Sequence, residues 1–315
     1  MPGVLGHSPL TVGENESLET AFHISDPTKS WAIYTEIHGS REAHYYELEM
    51  QQGERLQLSL FVPISEEAFR PTLVVMGPGI AGLDSVPDFV EVPLGAGRKV
   101  LRVYLESEIE YEPFTPMSFY SLLRWSWEIS TAGTYYLAVY DASQGGRYGL
   151  AVGYRESFDL DEWILVPLSA IEIHQWEGQS FAFIVSPLLI TLTLGIGLLA
   201  YRKLFLFCNM FCLVGVLAGL LYLGSGFMVL VQMILALSQV VPDRSAILTL
   251  VLGLLPIMLG SAILRISTSQ ESLTNRKRGL LAIFGLLGFF TWSGLLLGPI
   301  LSIAASLVPT KMSNR

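Results

Sequence analysis

The stretch QSFAFIVSPLLITLTLGIGLLAY, residues 179–201, is 23 residues long and carries no charged side chain. A helix needs about 20 residues to cross a hydrocarbon core of about 30 Å, so this run is long enough for one span. Trp176 and Tyr201 flank it, and a pair of cationic residues follows. Aromatic and cationic residues of this kind favour the headgroup layer. The sequence predicts a transmembrane helix here, with membrane-interface anchors at Trp163, Trp176 and Tyr201.

Three further uncharged runs cover residues 204–242, 245–264 and 279–308. The first is too long for one ordinary span and slightly short for two. With four spans, six Lys and Arg residues of the loops lie on one side of the membrane and three on the other. A split at 224–226 would separate the basic residues 276–278 from the other loop cations, against the retention of such residues in the cytoplasm. The sequence therefore predicts an all-α bundle of four transmembrane helices, at about 179–201, 205–237, 245–265 and 279–308.

The two parts of the chain have opposite charge. Residues 1–180 carry 26 Asp and Glu against 10 Lys and Arg, and residues 181–315 carry 9 Lys and Arg against 2 Asp and Glu. A single soluble domain is excluded by this division, and the acidic half disfavours a nucleic-acid partner. The distribution of loop cations predicts that the N-terminal domain and the C-terminus are extracytoplasmic. Residues 1–10 lack the features of a secretory signal, so this orientation requires a signal outside the chain, and a cytoplasmic domain is the alternative.

Residues 30–155 alternate apolar and polar side chains with period two, which is typical of strands that bury one face. Glycine-containing turn signals divide them into roughly eight strands. This pattern predicts an all-β antiparallel sandwich over 30–155. We expect an extended segment at 1–29, a juxtamembrane connector or amphipathic helix at 156–178, and a C-terminal tail at 309–315.

Four segments of the predicted sandwich are AHYYEL at 43–48, QGERLQLSL at 52–60, AGTYYLAV at 132–139 and GRYGLAV at 146–152. Together they resemble the bacterial pre-peptidase C-terminal domain over about residues 40–153. The resemblance implies a jelly-roll-like sandwich attached to a secreted or cell-surface protein, used as a binding or folding module and in some members holding calcium. The family's acidic strand motif is replaced here by RPTLVVM at 70–76, so the resemblance carries over no calcium site.

The predicted spans contain no charged residue or histidine, which argues against a transport path through them. They do contain small residues at helical spacing, which let helices approach closely. We interpret these residues as packing positions within the chain or as an interface with another subunit: Cys208, Cys212, Gly215, Gly219, Gly294 and Gly298. A metal pair at Cys208 and Cys212 lacks further ligands, and their palmitoylation is another alternative.

The acidic half offers several weak candidates for metal binding. Glutamates repeat at every second position over 106–112, a spacing of nearly 7 Å that suits a solvated face better than a converging calcium site. A second acidic group comprises Asp159, Asp161 and Glu162, which capping or solvation explains. The histidines His7, His23, His38, His44 and His174 show no metal-ligand spacing, which leaves copper and zinc weakly supported. No catalytic or cofactor motif occurs, so we expect no cofactor.

Three functional hypotheses follow. The first is a non-enzymatic membrane protein that acts as an accessory or assembly subunit, with the bilayer and other membrane subunits or a second copy as partners. The second is a cell-surface module for a sugar, peptide or metal, which exposure of the aromatic residues Tyr111, Phe114, Phe119 and Tyr120 would favour. The third is a membrane-anchored enzyme with an unrecognised site. Asn15-Glu16-Ser17 also matches a glycosylation sequon.

Overall fold

The computed structural model describes residues 7–103, 107–203, 208–269 and 274–308. The chain forms two compact units. The first contains the residues through Glu110 together with Ser118–Asp159 and Trp176–Gly178, and it is rich in β-structure. The second contains Tyr111–Met117, Leu160–Gln175 and the residues from Gln179 onward, and it is mainly helical.

Within its described residues, the N-terminal part contains eleven strands in two sheets. The six-stranded sheet has the order β1-β3-β11-β5-β9-β8, and the five-stranded sheet has the order β2-β4-β10-β6-β7. A short 3₁₀ helix lies at Ile64–Glu66. The strand bounds are β1 Ser8–Leu10, β2 Phe22–Ile24, β3 Trp31–Ile37, β4 Ala43–Met50, β5 Arg55–Pro63, β6 Thr72–Gly77, β7 Gly97–Leu101, β8 Glu108–Glu112, β9 Met117–Glu128, β10 Gly133–Tyr140 and β11 Gly146–Val152.

The period-two pattern of the sequence produces the buried face of each sheet. In β5, Leu56, Leu58 and Leu60 are fully buried, and they belong to the same apolar core as Tyr46 and Tyr148. The four segments quoted above coincide with strands that pair as β4 with β10 and β5 with β11, antiparallel in both cases. A β-sheet sandwich in the N-terminal part is thus confirmed.

The first 29 residues contribute more than an extended segment. Strands β1 and β2 lie there, and each pairs in parallel at a sheet edge, with β3 and β4 respectively. The sheets are therefore mixed instead of purely antiparallel. Asn15 is buried and its amide donates to the Tyr45 carbonyl at 3.1 Å, which leaves the sequon's asparagine inaccessible to a glycosylating enzyme.

The described part of the chain after the strands forms six helices: α1 Leu160–Trp176, α2 Phe181–Tyr201, α3 Met210–Leu237, α4 Ala246–Ser267, α5 Asn275–Phe290 and α6 Leu297–Leu307. Three of them, α2, α3 and α4, are long and apolar enough to cross a membrane. The long uncharged run forms one helix of 28 residues, α3, with no break at 224–226. The connector also forms a helix, α1, although Pro167 lies in its middle and not in its first turn.

The predicted fourth span is not confirmed, because the 279–308 run is divided between α5 and α6. These two helices form an antiparallel hairpin. The Ser302 hydroxyl donates to the Leu281 carbonyl at 2.8 Å, and the Arg278 guanidinium donates to the Ser306 carbonyl at 2.8 Å. The 30 residues were predicted to form one span because they are apolar throughout. Composition alone does not reveal the turn in the middle of the run.

The turn between α5 and α6 has an unusual backbone. Trp292, Gly294 and Leu295 all have positive φ, and two of these three are not glycine. Such residues need tertiary support, since a side chain in the left-handed region is strained. The Gly294 N–H donates to the buried Ser225 hydroxyl at 2.6 Å, and the Trp292 indole donates to the Trp163 carbonyl at 2.8 Å. These bonds hold the turn against α3 and α1.

Candidate functional site

The small residues predicted for helix packing lie inside the helical unit. A Cβ built on Gly219 would come within 2.9 Å of the Gly260 carbonyl of α4, and one on Gly215 would meet the Ser267 side chain. Farther along α3, Gly226 approaches the Gly253 carbonyl of α4 in the same way. The stripe on α3 therefore serves contact between α3 and α4, which leaves these glycines inaccessible to a partner.

Gly294 and Gly298 have a similar role at one aromatic side chain. A Cβ on either would lie within 2.8 Å of the Tyr222 ring, and the Tyr222 hydroxyl donates to the Phe284 carbonyl at 2.9 Å. Tyr222 is fully buried. Tyr222 was not predicted from the sequence, although a tyrosine inside an uncharged span indicates a polar partner nearby.

Cys208 and Cys212 form a disulfide. The free packing thiols, the metal pair and the acylation site considered from the sequence are all corrected by this bond, since neither sulfur carries a free thiolate. Cys208 also precedes α3, which begins at Met210 with the Asn209 side chain as its cap. The spacing of four residues was visible in the sequence, but it does not distinguish a disulfide from two packed thiols.

The three predicted interface anchors have different surroundings. Tyr201 is 86% exposed at the end of α2, as expected for an anchor. The Trp163 ring packs against that of Trp292, with 4.4 Å between centroids and the two planes tilted by 42°. Trp176 is buried instead of lying free for lipid, and its indole N–H donates to the Thr35 carbonyl at 3.0 Å. Trp176 was predicted to be an anchor only because it lies next to the uncharged run 179–201 in the sequence.

The outer face of α2 is the least covered apolar surface of the three long helices. Only Ile184, Val185 and Leu188 of this helix are buried. The side opposite these residues carries a narrow stripe of small side chains, flanked by the exposed large residues Leu189, Ile190 and Leu194. A Cβ built on Gly197 in this stripe would contact no atom within 4 Å. We define the α2 outer face as Ala182, Ser186, Thr193, Gly197 and Ala200. This stripe was not predicted from the sequence, because the exposed side of α2 is identified only by the burial of its opposite side.

A cavity of about 90 Å³ lies within the helical unit. Its walls come from α1, α2, α3, α4, the 111–117 segment and the turn before α6. The lining side chains are mostly apolar, with polar groups at His174, Ser225, Gln232 and Thr291. Apolar walls with a few polar groups are typical of small-molecule sites.

The polar groups of the cavity wall are held by other parts of the protein. Gln232 exchanges two hydrogen bonds with Gln179, at 2.7 and 2.8 Å. The Ser225 hydroxyl donates to the Tyr222 carbonyl at 2.9 Å and accepts from the Gly294 N–H. These bonds fix the wall and leave the interior of the cavity predominantly apolar.

A buried polar chain crosses the sandwich core. The His44 ring nitrogens lie 3.0 Å from a Glu42 oxygen and 3.0 Å from the Tyr148 hydroxyl, which in turn bonds to the Tyr46 hydroxyl at 2.7 Å. Burial lowers the pKa of His44 and raises that of Tyr46 to about 12. Glu, His and Tyr in series can relay a proton, but Tyr46 and Tyr148 are fully enclosed. The chain satisfies buried polar groups and offers no access to a substrate.

Two of the acidic candidates form ion pairs. Glu110 pairs with Arg124, and Asp159 lies 3.0 Å from the Lys29 ammonium. Glu106 lies outside the described residues. Among the described residues, no group of three His, Cys, Asp or Glu side chains is arranged to hold a metal ion.

No family model matches the chain, and no curated protein matches it. The resemblance seen in strands β4, β5, β10 and β11 thus remains an expectation about fold. Two features of the helical unit bear on function, the α2 outer face and the cavity.

Proposed function

We propose that the chain is a non-enzymatic integral membrane protein that serves as an accessory or assembly subunit, with the α2 outer face as its contact with a transmembrane helix of another subunit. The observation that carries the proposal is the small-residue composition of that face. A surface turned only toward lipid gains nothing from Ala, Ser, Thr and Gly, whereas a helix partner can approach closely over them.

The other glycine stripes support this choice by elimination. Gly215, Gly219 and Gly298 already contact side chains or backbone of the same chain, whereas Gly197 contacts nothing within 4 Å. Helices α2 and α3 also contain no charged side chain or histidine. Because ion and proton pathways depend on such groups, a structural role fits these spans better than a transport role.

The second hypothesis, a ligand-binding module, would be favoured by exposed aromatic side chains, and this condition is not met. Tyr111, Phe114, Phe119 and Tyr120 are each partly buried, and none is among the exposed aromatic side chains. The Tyr111 hydroxyl donates to the Thr249 hydroxyl at 2.7 Å. These residues therefore do not provide an open aromatic surface for a sugar or peptide.

For the orientation, we propose that the chain before α2 is extracytoplasmic and that α6 ends on the cytoplasmic side. Six cations of the described residues lie at or beyond one end of the helices, at Arg202, Lys203, Arg265, Arg276, Lys277 and Arg278, against Arg244 alone at the other. The α5–α6 hairpin brings Ser306 back to Arg278, which removes the basis for expecting an extracytoplasmic C-terminus.

The test is purification of the full chain from its native source in a gentle detergent. We expect a co-purifying membrane subunit or a second copy, and we expect Gly197→Leu to reduce its yield at least about fivefold, since a bulky side chain separates closely packed helices. Leu198→Phe is the matched control: it enlarges a side chain that is 53% exposed but lies about 100° around the helix from Gly197, away from the stripe. A lone wild-type monomer, or equal loss in both variants, would contradict the proposal.

A further inference from the structure

Prolines inside the helices of the second unit leave backbone carbonyls without their usual donors. Proline has no N–H, so the carbonyl four residues earlier loses its helical hydrogen bond. Pro167 of α1 does this to the Trp163 carbonyl. The Trp292 indole N–H replaces the missing donor at 2.8 Å. The protein thus compensates for this proline with a side chain.

The proline of α2 is compensated in the same manner, and that of α4 is not. Pro187 frees the Phe183 carbonyl, which accepts from the Ser186 hydroxyl at 2.8 Å. Pro256 of α4 frees the Leu252 carbonyl. Within the described residues, we find no side-chain donor bonded to that carbonyl. Both Pro256 and Leu252 line the cavity, so the uncompensated proline belongs to its wall.

The size and chemistry of the cavity restrict what could occupy it. A cavity of about 150 Å³ holds benzene, so by proportion the 90 Å³ available here suits about four non-hydrogen atoms. The lining residues include no carboxylate, lysine or arginine, which disfavours a charged ligand. The wall is mostly apolar, and it includes Leu252, whose carbonyl loses its usual helical donor at Pro256.

We propose that this cavity binds a small neutral alcohol, whose alkyl part lies against the apolar walls and whose hydroxyl donates to the Leu252 carbonyl. The hydroxyl supplies what Pro256 removes, as Trp292 and Ser186 do at the other two prolines. A ligand of the same size that can only accept a hydrogen bond leaves the carbonyl unsatisfied and binds more weakly.

Propan-2-ol and acetone test this directly, because they have the same number of non-hydrogen atoms and only the alcohol donates a hydrogen bond. Each is titrated onto the detergent-solubilised full chain, and binding is measured by saturation-transfer NMR. We expect propan-2-ol to bind about fivefold more tightly than acetone. Ala170→Leu, which fills the cavity from α1, is expected to abolish binding of both compounds.

Pro256→Ala distinguishes the contribution of the Leu252 carbonyl to binding from that of the cavity volume. The alanine N–H can donate to Leu252 and favours the helix, so we expect the variant to fold and to lose the preference for the alcohol. Pro187→Ala is the matched control, because the Phe183 carbonyl already has a donor and Pro187 does not line the cavity. A preference unchanged in Pro256→Ala, wild-type binding of neither compound, or binding that survives Ala170→Leu would overturn the proposal.

Discussion

At the scale of single residues, two histidines of the first unit make its stability depend on pH. The His7 ring accepts from or donates to the Ser30 hydroxyl at 2.6 Å, and burial, assisted by the Arg124 charge, lowers the pKa of His7 from 6.5 to about 4. Burial also lowers the pKa of His44. Both rings are therefore neutral in the folded protein at pH 7, whereas the unfolded chain takes up protons near pH 6.5.

Because the pKa values of His7 and His44 are lower in the folded protein than in the unfolded chain, its stability falls as the pH falls. Stability contributed by the neutral rings is fully present above pH 6.5 and is lost as the pH falls toward the folded pKa. We expect the first unit to lose at most about 2 kcal/mol through His7 between pH 6.5 and pH 5. Urea unfolding of the full chain in detergent, followed by tryptophan fluorescence at pH 7 and pH 5, measures this loss.

His7→Asn keeps an acceptor for Ser30 but cannot titrate, so its stability is expected to fall less than that of the wild type between these two pH values. His23→Gln is the matched control, since the His23 side chain is half exposed at 3.1 Å from Glu47. Identical pH dependence in His7→Asn and the wild type would disprove the assignment to His7.

Residue roles were the hardest to predict from the sequence. The alternation of Leu56, Leu58 and Leu60 determined which side chains face the core, because strand periodicity is local. The disulfide of Cys208 and the burial of Trp176 depend on contacts that no local pattern specifies. The cavity was missed for the same reason, since its walls come from six separate segments.

At the scale of elements, close contact between α3 and α4 depends on glycine on both helices. A Cβ on Gly260 would lie 2.7 Å from the Gly219 carbonyl and 3.0 Å from the Leu223 nitrogen, and both are backbone atoms that cannot rotate away. We expect Gly260→Ala to destabilise the helical unit by about 1–3 kcal/mol, as is typical of overpacking.

Thermal loss of helicity in detergent, followed by circular dichroism, measures this effect. Gly197→Ala on α2 is the control: its Cβ contacts nothing, and alanine favours a helix over glycine by about 1 kcal/mol, so its stability is expected to equal or exceed that of the wild type. Equal thermal stability of Gly260→Ala and the wild type would show that α3 and α4 can separate without cost.

Element boundaries were largely predictable where hydropathy is interrupted by charge. The predicted helices at 179–201 and 245–265 correspond to α2 Phe181–Tyr201 and α4 Ala246–Ser267. The run at 279–308 contains no charge to mark its turn, and the break depends on positive φ at Trp292 and Leu295 and on bonds to Ser225 and Trp163. Such a turn is determined by tertiary contacts.

At the scale of the whole molecule, two signals at the same helix ends point to opposite compartments. Arg202 and Lys203 favour the cytoplasm, whereas the disulfide between Cys208 and Cys212 is of a kind that persists in oxidising compartments. The basic residues of α5 add to the first signal. We therefore expect the cationic end, and the disulfide with it, to be cytoplasmic.

Cysteine accessibility decides between the two signals. In a Cys208→Ser, Cys212→Ser background, single cysteines replace Ser143 of the first unit or Asn275 at the start of α5, and both positions are exposed. An impermeant maleimide applied to intact cells is expected to label Ser143→Cys and to leave Asn275→Cys unlabelled until the cells are permeabilised. The reverse pattern would place the basic end and the disulfide in the oxidising compartment and the sandwich in the cytoplasm. Because the cations and the disulfide lie at one end of the bundle, only one of the two signals can determine the orientation, and this pair of variants identifies which.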